Sequence, residues 1–248
     1  MALTWSGRRK ALYTSVVSLL AFLVAIFVYQ SFFTAPPLCT DGKQNGDEHG
    51  VDCGGSCSLV CPAEARPPVV SWARSFEAAP GSYTAAAYIQ NNNPGAGARR
   101  VAYSFQLFDA DNILVVERDG VADLPPAATI PIVETNIAVG NTTPVRTFFA
   151  FSQTPVWVRA GQQPVLSSTN QVLSSDASRL EAVAHNDSLV PVHAQLTAVL
   201  FDSQGVARAA SKSAVTIAPR GQVPIVFTWG EPAHNIVRAE ITILPLLQ

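Results

Sequence analysis

The sequence predicts a mainly β chain: an N-terminal transmembrane helix, a short disulfide-rich segment and two tandem β-sandwich domains. Three observations carry this. Residues 11–33 contain no charged side chain, all four cysteines fall within residues 39–61, and the remainder repeats itself at an offset of 93 residues with period-two alternation.

The chain has 248 residues, enough for two ordinary domains and additional segments. Its net charge of −2, with only 14% charged residues, provides neither a basic footprint for nucleic acid nor an acidic tail. The 18 prolines and 15 glycines punctuate short aliphatic and β-branched runs, whereas Met occurs once. That composition favours strands over helices.

Residues 1–10 form a cytoplasmic tail, and residues 11–33, "ALYTSVVSLLAFLVAIFVYQSFF", a spanning helix. At about 1.5 Å per residue the segment is roughly 34 Å long, enough for a hydrocarbon core of about 30 Å. Tyr13 and Tyr29 suit the two interfaces. Arg8, Arg9 and Lys10 precede the segment, and no charge follows it before Asp41. The positive-inside rule then leaves the N-terminus in the cytoplasm and the later residues outside, in a single-pass cell-membrane protein. The apolar run is longer than that of a signal peptide, and no small-x-small site follows it, so an uncleaved signal anchor is expected.

Residues 34–61 contain Cys39, Cys53, Cys57 and Cys61, spaced C-x13-C-x3-C-x3-C. Outside the membrane, an even number of clustered cysteines predicts two disulfides. The spacing departs from the C-x2-C of zinc knuckles and of thioredoxin-like redox sites. Three pairings are possible, and spacing does not select one. Asp41, Asn45, Asp47, Glu48 and Asp52 raise the question of calcium. In an EF-hand register starting at Asp41, however, Lys43 occupies position 3 and Asp52 position 12, where oxygen donors and a Glu are required. Asp41, Asn45, Asp47 and Asp52 are the donors an irregular calcium site would use; the favoured role is to shape turns between cross-links.

The wording "CTDGKQNGDEHGVDCGGSC" resembles a segment found just outside the membrane helix of membrane-anchored envelope proteins, notably of candidate-phylum bacteria. The resemblance covers residues 39–61. It implies a cell-envelope protein and brings no reaction with it.

Residues 62–68, "PAEARPP", are read as a Pro-rich linker and spacer. Beyond it, the 93-residue offset pairs Asn93 with Asn186, Leu107–Asp109 with Leu200–Asp202, Pro126 with Pro219, Pro131–Val133 with Pro224–Val226, and Thr135 with Thr228. A period of this length is too long for a solenoid unit and right for a small sandwich. Val101, Tyr103, Phe105 and Leu107 alternate with Ala102, Ser104 and Gln106, and Ala194, Leu196, Ala198 and Leu200 repeat the inward parity. Asp109 and Asp202 are expected to build turns, with Asn112 and Gly205 at positive φ. The boundaries follow as 69–155 and 156–248, with the two domains expected to pack end to end. "FQLFD" (105–109) resembles the signature of the FxLYD domain, an Ig-like sandwich of exported prokaryotic proteins, and "AVLFD" (198–202) resembles it less closely. The resemblance implies an extracytoplasmic interaction or spacer module.

No H-E-x-x-H, G-x-S-x-G or phosphate-binding glycine loop is present. His185 and His193 are expected on solvated strand faces and His234 in a loop. Trp72, Trp157 and Trp229 are expected in cores or at the domain junction. Asn141 and Asn186 lie in glycosylation sequons, relevant only in a eukaryotic source. The expectation is therefore a non-enzymatic envelope protein, without cofactor or small-molecule substrate, whose sandwiches meet an envelope protein or wall polymer through strand edges and loop tips. The alternative is an accessory subunit of a secretion, pilus or transport complex.

Overall fold

A computed structural model describes residues 5–33, 38–161, 163–230, 233 and 235–246. The chain divides into two compact units, Met1–Ser56 and Cys57–Gln248.

The first unit contains helix α1 (Trp5–Phe33). The helix starts upstream of the expected span, so Arg8, Arg9 and Lys10 are helical, and the Arg9 guanidinium lies 3.9 Å from the Trp5 ring centroid. The side chains of Leu12, Val17, Phe22 and Phe27 are all exposed, which leaves an apolar surface on every side. The helix is long and apolar enough to cross a membrane.

The second unit is antiparallel β throughout. Its first half comprises β1 (Val69–Ala79), β2 (Ser82–Gln90), β3 (Ala96–Phe108), β4 (Leu114–Leu124), β5 (Thr129–Ala138), β6 (Arg146–Phe151) and β7 (Trp157–Arg159). Its second half comprises β8 (Leu166–Leu173), β9 (Arg179–Asn186), β10 (Val192–Asp202), β11 (Ala207–Ile217), β12 (Gln222–Thr228) and β13 (Ile236–Pro245). In each half a three-stranded sheet faces a second sheet: β1-β2-β5 opposite β4-β3-β6, and β8-β9-β12 opposite β11-β10-β13. The repeat read from sequence is thus a repeat of topology, with β1–β6 corresponding to β8–β13.

Period-two burial builds both cores. Val101, Tyr103, Phe105 and Leu107 of β3 are at most 3% exposed and pack on Ala85, Ala87 and Ile89 of β2 and Ile130 and Ile132 of β5. In the second core Leu180, Leu196, Ala198, Ile225 and Phe227 do the same. The edge strands β5 and β12 each carry a proline at the equivalent position, Pro131 and Pro224.

The alternation fails in β10, where residues 196–202 are buried on both faces. Val199 and Phe201 point away from their own core and join Ala207 and Ala210 of β11, together with Ala86 and Val133 of the first sandwich. The sandwiches therefore pack sheet on sheet, β11-β10-β13 against β1-β2-β5, and not end to end as expected. Apolar side chains on an outer sheet face must be covered, and small residues at positions 86, 207 and 210 let the sheets approach.

Two further expectations change. The strand β7 lies beyond the 155/156 boundary, yet it pairs with Ala96–Ala98 of β3 and so completes the first sandwich. Residues 62–68, expected to be a linker and spacer, are held in place at Ala65 and Arg66. Leu59 bridges Val158, the Val60 N–H donates to the Trp157 carbonyl at 2.9 Å, and Val60 and Ala65 pack on the first core. The Asn93 amide then grips Arg66 from both sides, accepting from its N–H at 2.7 Å and donating to its carbonyl at 2.8 Å.

Asn93 is also not the counterpart of Asn186, as the ungapped match had it. Asn186 donates from Nδ2 to the carbonyls of Val190, Ile217 and Ala218, and its own N–H donates to Gly221. In the first sandwich Asn91 performs this task, donating to Ala96 and Pro125, with its N–H on Ala128. The register agrees: Ile89 pairs with Ile130, and Ala184 with Val223. The stretch from Asn91 to Leu107 is thus two residues longer than that from Asn186 to Leu200, and Asn93 lies within it.

Candidate functional site

The cysteine-rich stretch has no free thiol; Cys39, Cys53, Cys57 and Cys61 are all disulfide-bonded. Between them, the acidic side chains organise backbone. Asp41 accepts from the Lys43 N–H at 2.9 Å and from Asn45 Nδ2 at 2.8 Å, and both Asp52 oxygens accept from the Gly42 N–H at 3.0 and 3.1 Å. Glu48 accepts from the Asn45 N–H at 3.2 Å, and Asp47 from the Ser56 hydroxyl at 2.8 Å. Those bonds hold the Asp41 and Asp47 carboxyls below the usual range, through Asn45 and Ser56 first. The Asp41, Asp47 and Asp52 oxygens weighed for calcium are thus those that build the turns, whereas Asn45 Oδ1 is buried without a partner. Gly55 illustrates the crowding: φ is +54°, and a Cβ there would sit 1.9 Å from the Asp47 carbonyl oxygen.

Asp109 and Asp202 build the same turn in both repeats. Asp109 Oδ1 accepts from the Asp111 and Ile113 N–H groups, and Asp202 Oδ1 from those of Gln204 and Val206, all at 2.9 Å. Asn112 and Gly205 take positive φ, as expected. Asp202 also binds Arg208 at 2.6 Å; its carboxyl is lowered first by the Val206 N–H. His185 lies on β9 and His193 on β10, in different sheets, and each bonds a threonine, Thr169 and Thr216 respectively. They are not brought together as ligands, and His234 lies outside the described residues. Asn186, fully buried and donating three bonds, is no glycan acceptor.

The contact between the sandwiches is the feature that sequence reasoning missed. Trp72 stacks on Tyr88 with centroids 4.8 Å apart, and Phe201 meets both rings edge-on at 6.4 and 6.0 Å. The Arg238 guanidinium lies 4.4 Å from the Phe201 centroid and pairs with Glu240, which accepts from the Tyr88 hydroxyl at 2.6 Å. Burial first, and then Glu240, push the Tyr88 phenol far above its ordinary range. At another margin, Glu134 of β5 accepts from Tyr103 at 2.8 Å, Lys212 of β11 at 3.2 Å and Arg118 at 3.5 Å. One mostly buried carboxylate thus meets two cations, one from each sandwich. Trp157 is in the first core, Trp72 at the junction and Trp229 against the second core, as expected. The available signal was the apolar content at both parities in "TAVLF" and "TAAAY".

The corresponding outer faces of the other two sheets differ chemically. Where β10 and β11 present Val199, Ala210 and Lys212, β3 and β4 present Gln106, Glu117 and Asp119. Where β2 presents Ala86, β9 presents Glu181, paired with Arg179 at 2.6 Å.

Among the described residues, a cleft of about 700 Å³ opens beside the contact, between the ends of β1 and β5, the start of β2 and the start of β11, with Trp229 and Gly230 after β12. Its walls include Phe76, Thr84, Asn136, Arg208, Ser211 and Trp229. A second, of about 270 Å³, adjoins Glu134 and Lys212.

The chain matches no protein-family model and no curated protein. Among solved structures it is similar to red sea bream transglutaminase, at 8% identity and a TM-score of 0.24, over 73% of this chain and 29% of that one. The chain thus spans less than a third of that enzyme's length, and a likeness this slight says nothing about activity.

Proposed function

We infer that the chain is a non-enzymatic, single-pass, membrane-anchored cell-envelope protein that presents two Ig-like sandwiches outside the membrane to a protein or a wall polymer. The observation that carries this reading is the pairing of an apolar helix, with Arg8, Arg9 and Lys10 near its N-terminal end, and a following segment in which all four cysteines are oxidised. Asp109 and Asp202 shape turns, and Glu134 ties two sheets, so the buried polar chemistry serves architecture. The cell-envelope assignment and the Ig-like description also rest on the motif likenesses at residues 39–61 and 105–109.

Protease added to intact cells carrying the full chain tests this. Digestion of residues 69–248 on treated cells, with the unshortened protein recovered from the membranes of untreated cells, is the expected result. Protection of those residues, or a protein released into the soluble fraction with residues 1–33 removed, refutes the anchoring. Cross-linking in the same cells distinguishes the alternative: reproducible links from residues 69–248 to one membrane complex identify an accessory subunit.

A further inference from the structure

We propose, on the membrane-anchored reading above, that one end of the paired sandwiches docks on the lipid bilayer. The loop between β9 and β10 enters the bilayer surface, and neighbouring arginines meet anionic headgroups.

Residues 187–191 cap the end of the second sandwich where β9 leaves and β10 begins. Leu189 is 72% exposed and Val190 56%, and beside them Val165, whose carbonyl accepts from the Asp187 N–H at 3.0 Å, is 63% exposed. The loop is preformed. Asn186, fully buried, donates to the Val190 carbonyl at 2.8 Å and accepts from the Ser188 N–H at 3.0 Å. The corresponding end of the first sandwich is covered by residues 58–66 and β7. Aliphatic tips held out on a rigid loop can enter a bilayer surface with little further loss of chain entropy.

Both sandwiches turn this end to the same side. The Leu246 N–H donates to the His193 carbonyl at 2.7 Å, just beyond the loop, and Leu246 lines a small cavity together with Arg100 of the first sandwich. Arg99, Arg100 and Arg159 are exposed there, as are Arg66 on the docked segment and Arg220, whose N–H donates to the Ser188 carbonyl at 3.0 Å. The ion pairs among the described residues use other cations: Arg118, Arg179, Arg208, Lys212 and Arg238. Five arginines outnumber the carboxylates of the same segments, Glu64, Asp123 and Asp187. Guanidinium groups fit phosphate oxygens, and cations at an anionic leaflet reinforce a weak apolar insertion. The opposite end also exposes Ile113 and Val145, but its turns carry Asp109, Asp111, Asp176 and Asp202, which such a surface repels.

Chain length keeps the contact within reach. Residues 57–66 enter the fold at this end, where the Ser58 carbonyl accepts from the Arg159 N–H at 2.7 Å. Residues 34–56, which join them to the helix, span roughly 80 Å even when fully extended. A surface tethered so closely meets the bilayer at high effective concentration, so modest contacts suffice. The adjoining cations and the tether favour lipid over a protein partner.

The test uses the full-length chain in vesicles of phosphatidylcholine brominated on its acyl chains, with or without phosphatidylglycerol. In Leu189→Trp the added tryptophan should lose emission to the bromine, beyond the loss shown by the wild-type chain, and most with phosphatidylglycerol present. Ile113→Trp, at a site 63% exposed on the opposite end, should add no such loss. Combining Leu189→Trp with Arg159→Gln and Arg220→Gln should weaken docking roughly 25-fold, at about fivefold per cation, and remove the extra loss; an unchanged urea midpoint shows that this variant folds. Equal losses for Leu189→Trp and Ile113→Trp, as a tip reserved for a protein would give, overturn the proposal, and so does a loss independent of phosphatidylglycerol. Neither outcome alters the protease result in cells, whereas sandwiches protected in cells but quenched in vesicles refute the placement alone.

Discussion

Replacing Phe201 by alanine tests the sheet-on-sheet contact most directly. The side chain is 4% exposed and lies among Trp72, Tyr88 and Arg238. An aromatic ring buries about 200 Å², which at about 25 cal/mol/Å² sets an upper bound near 5 kcal/mol. Large-to-small substitutions of buried aromatics cost about 3–5 kcal/mol. With a urea dependence of about 2–3 kcal/mol/M for a domain pair of this size, the unfolding midpoint should fall by roughly 1–2.5 M. Phe108 is the internal control, because it occupies the same place in the repeat but lies partly exposed, edge-on to Phe148 at 5.5 Å. Phe108→Ala should cost about 1 kcal/mol, a shift below about 0.7 M. Both are read by tryptophan fluorescence during urea unfolding of the full-length chain in micelles, with Trp72 reporting on the contact. Equal shifts for the two variants would refute the assignment of Phe201 to a covered face.

Two further predictions follow from local geometry. Asn93→Ala should speed hydrogen exchange of the Arg66 amide about thirtyfold, since two hydrogen bonds at about 1 kcal/mol each hold that residue, while β2 and β5 keep their protection; unchanged exchange at Arg66 would remove the grip. The Asp176 carboxyl is lowered to about 2, first by the Ser174 hydroxyl and then by the Ser178 N–H and hydroxyl. A depressed carboxyl stabilises the fold above its unfolded value near 4, and that contribution disappears as pH falls toward 2. Ser174→Ala should raise the Asp176 value in an NMR titration, and the difference between wild-type and variant stabilities should narrow as pH falls from 5 toward 2, leaving the pH-independent loss of the bonds that Ser174 accepts from the Ser178 and Arg179 N–H groups. An ordinary Asp176 titration in the wild-type chain would contradict this.

Much of the sandwich was legible because burial on one face leaves a period-two trace, and Val101 to Leu107 show it directly. The contact between sandwiches was not, because covering a second face erases that trace, and the apolar run Val199–Phe201 could equally belong to a central strand. The repeat located corresponding strands but misassigned Asn93, since an ungapped offset cannot show a two-residue insertion. The docking of residues 58–66 depends on bonds to β7 and on one amide reaching Arg66 across 27 positions, which no local pattern records. In the cysteine-rich stretch, residue chemistry and the expected compartment pointed to disulfides, while the turn partners of Asp47 and Asp52 required coordinates.

Pro131 and Pro224 bear on life at a surface. A tethered protein diffuses in two dimensions among its own copies, all held at a similar height, so encounters between exposed strand borders are frequent. A proline in the middle of such a border lacks the N–H that an intruding strand would pair with. The duplication preserved this safeguard in both halves while rewriting the neighbouring faces. In the membrane-anchored reading proposed above, crowding therefore need not lead to aggregation through these two borders.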